Sequence, residues 1–334
     1  RLLAPEAQQQ KIEAMRRADL AQGFDLAKAP LLRAVLLQTA AERHEFLWNF
    51  HHILLDGWSM FKVLQEVFGL YDAFTRGRDL QLSRSRPYRD YIAWLRRQNS
   101  ASAEAFWRKN LQGFTAPTPL RTDRPAAAKT GEEFASQELA LSDATTNALE
   151  AMVQEYHVTL NTLMQGAWAL LLSRYSGETD ICFGAIVSGR PAELNGVETM
   201  VGLFIKTLPV RVQAPPNATL SEWLKKIQTQ QAELRQYEYS SLRQVQSWSD
   251  APPGVALFDS IFMFENYRKD TPLEAMSNAL KISNARWRER QNYPLAAIAI
   301  PGRPTLLRLT YDCRRFESET IGRMLQHWQM LLAG

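Results

Sequence analysis

The sequence predicts an α/β fold in two lobes, on three observations. Strand-like and helix-like segments interleave along both halves of the chain. A proline-marked stretch, Thr115-Ala116-Pro117-Thr118-Pro119-Leu120 followed by Asp123-Arg124-Pro125, interrupts that pattern before the midpoint. The length, 334 residues, exceeds a usual single domain. The boundary is therefore placed at the proline stretch, giving lobes 1–118 and 119–334.

The elements follow in order. Glu6 to Arg17 reads as a helix. Gly23-Phe24-Asp25-Leu26 and Pro30 lead into a strand from Arg33 to Leu37. A second strand, Glu45 to Phe50, sets Phe46, Trp48 and Phe50 against Glu45, Leu47 and Asn49. So few residues separate the two that an antiparallel hairpin is expected. Ser59 is read as the N-cap of a helix carrying Phe61, Leu64, Val67, Phe68 and Tyr71 and ending near Gly77. Pro87 opens a helix through Tyr91 and Trp94, and Ser102 to Leu111 forms another. Tyr88, Tyr91, Trp94, Phe204 and Phe264 are assigned to core.

In the second lobe, Glu133 to Leu139 reads as a strand. Ser142 caps a helix that ends near His157. Thr159 or Asn161 opens a strongly apolar helix closed by Gly177. Ile181 to Val187, Lys206 to Val212, Asp259 to Phe264, Leu295 to Ile300 and Thr305 to Tyr311 read as strands. Helices are expected from Ser221 to Tyr237 and from Ser318 to Leu332.

Hydrophobic residues at 46% and charged residues at 22% fit a globular domain rather than a disordered one. Net charge is only +4, and Arg96-Arg97 and Arg314-Arg315 are short basic pairs, so no nucleic-acid partner is expected. No run reaches the roughly 18 apolar residues of a membrane span, and a cytoplasmic location is expected. Cys182 and Cys313 lie in strand-like runs and are read as buried free thiols. The chain opens on Arg1 without a methionine and is expected to be part of something longer.

The run His51-His52-Ile53-Leu54-Leu55-Asp56-Gly57-Trp58-Ser59 holds two of the five histidines. It joins an aromatic strand to an amphipathic helix, a place where a group titrating near neutral pH suggests proton chemistry. Side chains on an extended strand alternate in direction, so one histidine is expected to face a pocket and the other to pack. That argues against paired metal ligands, and a third donor is lacking. Gly57 gives the loop backbone freedom. Asp56 either pairs with an arginine to hold the loop or orients a histidine; spacing leaves both open. No Gly-x-Ser-x-Gly elbow supports a serine hydrolase.

His-His-x-x-x-Asp-Gly resembles the active-site motif of the condensation domains of non-ribosomal peptide synthetases, relatives of chloramphenicol acetyltransferase. Tyr88-Arg89-Asp90-Tyr91-Ile92-Ala93-Trp94, Ile186-Val187-Ser188-Gly189-Arg190-Pro191 and Val201-Gly202-Leu203-Phe204-Ile205-Lys206-Thr207-Leu208-Pro209 resemble further motifs of that family, in order. So do Leu257-Phe258-Asp259-Ser260 with Phe264-Glu265-Asn266-Tyr267, and Asn292-Tyr293-Pro294-Leu295. Lys206 stands where the family often has Asn. Two early motifs, Ser-x-Ala-Gln-x-Arg and Arg-His-Glu-x-Leu-Arg, are absent.

The resemblance implies two chloramphenicol-acetyltransferase-like lobes in a V-shaped pseudo-dimer, with a tunnel between them and a bridging loop at 188–200. It implies peptide-bond formation between a donor acyl thioester and the amine of an acceptor aminoacyl thioester. Both are carried on phosphopantetheine arms of donor and acceptor carrier domains, so the domain itself binds no cofactor or metal. An adenylation domain is expected in the same synthetase. His52 matches the catalytic histidine, as base or positioning group, and His51 the more structural one. The N–H of Gly57 is a candidate for polarising an oxyanion. Asp56 matches a structural aspartate paired with an arginine, for which Arg190 is the candidate. Trp58 and Asn266-Tyr267 resemble members taking an L-configured donor. Ester-forming, epimerization and non-catalytic carrier-docking domains of the same fold are the alternatives.

Overall fold

The computed structural model describes residues 3–120, 134–215, 217–266, 276–287 and 292–334. Helix α1 (Pro5–Gln22) leads through Gly23 into strands β1 (Leu32–Ala40) and β2 (Arg43–Phe50). These form the expected antiparallel hairpin, with Arg33 opposite Asn49 and Leu32 opposite Phe50. Helices α2 (Gly57–Thr75), α3 (Arg89–Leu95) and α4 (Ser100–Asn110) follow.

Six strands among the described residues build a second, mixed sheet: β3 (Phe134–Ala140), β4 (Asp180–Val187), β5 (Lys206–Gln213), β6 (Ser260–Phe264), β7 (Leu295–Ile300) and β8 (Leu306–Asp312). Their order is β3-β8-β7-β6-β4-β5, with β4-β6 and β6-β7 parallel and the other pairs antiparallel. Helices α5 (Asp143–Tyr156), α6 (Leu160–Ser176), α7 (Leu220–Arg235), α8 (Leu242–Trp248) and α9 (Ser318–Ala333) complete the fold.

Helix α6 is apolar nearly all round, as a helix must be when neighbours enclose it. It packs against β4, α7 and α9, and Trp168 meets Trp328 of α9 with ring centroids 5.5 Å apart. Ser142 and Thr159 cap α5 and α6 through the backbone N–H groups of Thr145 and Thr162. The seven-residue helix α8 is not among the expected elements, although Ser241 and Gln244 form a reciprocal capping box that is readable as Ser-x-x-Gln.

Trp107 of α4, Phe114 and Leu120 are buried in the same core as the large sheet. The Thr118 hydroxyl accepts the Cys182 N–H at 2.8 Å. The chain before the boundary placed at residue 118 thus packs with the sheet that follows it. Asp123-Arg124-Pro125, Glu133 and Tyr267 lie outside the described residues. Cys182 is a buried free thiol in β4, and its burial pushes the thiol pKa up. Cys313 lies half-buried in the turn after β8 rather than in a strand. No helix among the described residues is long and apolar enough to cross a membrane.

Candidate active site

Strand β2 ends at Phe50, one residue before the histidines. The His51 N–H still donates to Leu31 O at 2.9 Å, but the chain then turns, and the Leu54 N–H returns to His51 O at 3.0 Å. The strand alternation expected for His51 and His52 therefore does not operate, and both residues line one cavity of about 2720 Å³. The turn is closed by a second bond, from the Ile53 N–H to His51 Nδ1 at 3.1 Å. A neutral His51 then carries its proton on Nε2.

Asp56, not Ser59, is the N-cap of α2; its carboxylate accepts the Ser59 N–H at 2.8 Å. Gly57 is the first helical residue, where the N–H is not used inside the helix. Gly57 also lines the cavity. Asp56 is 1% exposed. It accepts the Phe204 N–H at 3.1 Å and the Arg190 guanidinium at 3.2 and 3.4 Å. Of the two roles left open for Asp56, the geometry places it on the loop and on Arg190.

Arg190 does more than pair. Its Nη1 donates to Val197 O at 2.5 Å and Met200 O at 3.1 Å, and its Nη2 donates to the Ser59 hydroxyl at 2.9 Å. The guanidinium lies 3.9 Å over the Phe204 ring, a cation–π geometry. Burial pulls its pKa below the ordinary value while Asp56 opposes that shift. Ser59, freed from capping, is a cross-chain clasp. Its hydroxyl donates to Gly202 O at 2.9 Å and accepts the Gly202 N–H at 3.1 Å.

Two glycines permit this closeness. A Cβ on Gly189, whose φ is +61°, would sit 1.9 Å from Phe204 O. A Cβ on Gly202 would meet the Tyr88 ring at 2.2 Å. Tyr88, Tyr91 and Phe204 pack there, with Tyr91 and Phe204 ring centroids 4.6 Å apart. The Tyr88 hydroxyl donates to Leu203 O at 2.5 Å.

The segment 188–200 reaches the α2 side through Arg190 and through Trp58, whose indole donates to Glu198 O at 3.0 Å. Trp58 is 46% exposed and lines the cavity. Phe264, assigned to core, is half-buried and also lines the cavity, because it is the last residue of β6. A strap at 276–287 crosses back to α2, where Asp72 accepts the Ser277 hydroxyl at 2.5 Å and the Asn278 N–H at 2.7 Å.

Known proteins agree with this architecture. The family described as Condensation domain matches residues 3–334. One of the linear gramicidin synthase proteins of Brevibacillus parabrevis is 44% identical over 341 residues, which takes in 99% of this chain and 7% of that protein. Another protein of the same synthase is 42% identical over 334 residues, 99% of this chain and 4% of its own length. The chain thus spans less than a tenth of these relatives. Among solved structures, the X-domain from teicoplanin biosynthesis superposes with a TM-score of 0.80 at 22% identity, covering 94% of this chain and 74% of that one. A four-domain nonribosomal peptide synthetase bound to AMP and glycine gives 0.78 at 17% identity, covering 97% and 26%. These structural likenesses establish the fold, of the chloramphenicol-acetyltransferase-like α/β kind. With the match running along nearly its whole length, the chain belongs to the condensation-domain family.

Proposed function

We propose that this domain forms a peptide bond between two carrier-bound thioesters, with His52 at the reacting centre. The observation that carries the reading is the intact His-His-x-x-x-Asp-Gly turn on the wall of the cavity, with Asp56 buried against Arg190 behind it. The relatives, linear gramicidin synthase proteins, support it.

In the reaction, the acceptor amine attacks the donor thioester carbon. A C–N bond forms, the tetrahedral intermediate collapses, and the C–S bond breaks. The proton lost by the amine passes to His52 and on to the departing thiolate. A positioned base of this kind contributes typically about 10²–10⁴-fold. Alignment of two tethered groups contributes at least comparably. Gly57, whose N–H opens α2, is the assigned oxyanion donor.

The donor and acceptor arrive as substrates on the phosphopantetheine arms of separate carrier domains, and the domain holds no cofactor of its own. Its setting is a cytoplasmic synthetase that also contains an adenylation domain, and its donor is L-configured. The segment 188–200 bridges the two lobes.

The test loads one carrier with an acyl or peptidyl group and another with an aminoacyl group, and reads product by intact mass on the synthetase module. Condensed product is expected with the parent protein and with an L-donor over its D-epimer. His52→Ala is expected to lower the rate by about 10²-fold or more. Undiminished condensation in His52→Ala removes the role given to His52. No product from the folded parent supports a carrier-docking domain instead.

A further inference from the structure

Helix α1 ends without a basic residue in its last turn. The carbonyls of such a turn lack partners within the helix and carry the negative end of its dipole. Arg33, from the neighbouring strand β1, supplies what is missing. Its Nη2 donates to Asp19 O at 3.0 Å and its Nη1 to Gly23 O at 2.9 Å. Its Nε donates to the Asp19 carboxylate, which also accepts the Asn49 amide at 2.6 Å. One arginine thus ties the end of α1 to the strand that runs beside the histidine turn.

The same guanidinium sits 4.1 Å over the Phe24 ring. Gly23, at φ +59°, lets the chain leave α1 and fold Phe24 back. Phe24 in turn meets His51 in a T-shaped contact, with ring centroids 6.4 Å apart and planes at 89°. His51 closes the turn by accepting the Ile53 N–H. Asp19, Phe24, Arg33, His51 and His52 all line the cavity.

We propose that Arg33 and Phe24 are positioning residues for the reaction: Arg33 fixes the Phe24 ring, Phe24 fixes the His51 ring, and His51 fixes the turn that presents His52. The inference rests on the reading that His52 acts at the reacting centre. It places a support on the hairpin side of the turn, independent of Asp56 and Arg190 on the other side.

The experiment compares Phe24→Leu, Phe24→Tyr and Arg33→Lys with the parent and with His52→Ala in the full synthetase module. Phe24→Leu keeps bulk but removes the aromatic ring, and Phe24→Tyr restores it. Arg33→Lys keeps charge but cannot span the Asp19 and Gly23 carbonyls together with the Asp19 carboxylate. Phe24→Leu and Arg33→Lys are expected to lower kcat about tenfold, since small misplacements cost up to about 10²-fold, with donor and acceptor KM unchanged. Phe24→Tyr is expected to stay within about twofold of the parent, the effect of a conservative change that leaves the geometry in place. The His51 ring proton resonances are expected to move in Phe24→Leu and return in Phe24→Tyr.

If Phe24→Leu fails to fold, Arg33→Lys carries the same kinetic test. A normal kcat and unmoved His51 resonances, alongside an inactive His52→Ala, overturn this inference and leave the proposed function standing. A fully active His52→Ala overturns both.

Discussion

Arg190→Met tests the cluster behind the histidine turn most directly. Methionine keeps apolar bulk near Phe204 but has no donors. Asp56, at 1% exposure, would lose its ion partner yet keep the N–H groups of Ser59 and Phe204. Breaking a buried pair from one side typically costs about 3–5 kcal/mol, and the two remaining donors put this case in the lower half. Val197 O and Met200 O also lose a donor, at about 1 kcal/mol each, partly restored by water. The expected loss is about 4 kcal/mol, a large share of the roughly 5–15 kcal/mol that holds a domain together. Urea unfolding followed by tryptophan fluorescence reads it. Burial already works against the Arg190 charge, so removing both partners is expected to cost less than the sum of the singles. In a double-mutant cycle with Asp56→Asn, the coupling is expected to be about 2 kcal/mol. An Arg190→Met loss below about 1 kcal/mol, or a coupling near zero, would refute the claim that this pair joins the segment 188–200 to α2.

Two further predictions concern pH and the strap. Burial draws the Lys206 pKa down to about 8, with Glu238 opposing, and its ammonium donates to Tyr239 O at 2.6 Å. Between about pH 8 and the ordinary lysine value near 10.4, the unfolded chain holds a proton that the folded chain releases, so stability rises with pH across that window. The contribution is about 3 kcal/mol over the full window and is expected to vanish in Lys206→Met, read as the difference in urea midpoints between pH 7.5 and 10. Asp72 is held below the ordinary carboxylate range by the Ser277 hydroxyl and by the N–H groups of Asn278 and Ala279. Its contribution is present above about pH 4 and lost as pH falls through its lowered pKa; Asp72→Ala is expected to speed amide exchange at Asn278 and Ala279 about tenfold at neutral pH.

Local chemistry made much of the fold legible. Ser142 and Thr159 announce their helices because a hydroxyl before an apolar period can satisfy an orphan N–H. The alternation of Phe46, Trp48 and Phe50 announces its strand. What escaped was set by distant partners. Ser59 carries the hydroxyl that the sequence assigns to the cap of α2. The cap is Asp56 instead, and the Ser59 hydroxyl bonds Gly202, 143 residues away. The proline stretch marks extended backbone but says nothing of packing, and Thr118 and Leu120 bury themselves against the following sheet. No glycine or proline separates His51 from Leu55, so the turn there has no local signal. Arg33 gave none either. A helix lacking a terminal cation does not reveal which strand will supply one.

The placement of the histidine turn follows from these long-range choices. A short irregular segment, bounded by a strand end and a helix start, has few backbone bonds to hold it and needs support from elsewhere. The backbone carbonyls of Leu31 and Gly202 anchor its two ends, by way of the His51 and Asp56 N–H groups. The first lies on the hairpin side and the second beside the large sheet. His52 sits between these two anchors. The reaction proposed above, between two tethered substrates, gains from this arrangement. His51 and His52 line the cavity, so the contacts that hold the turn also set where this part of the cavity wall lies.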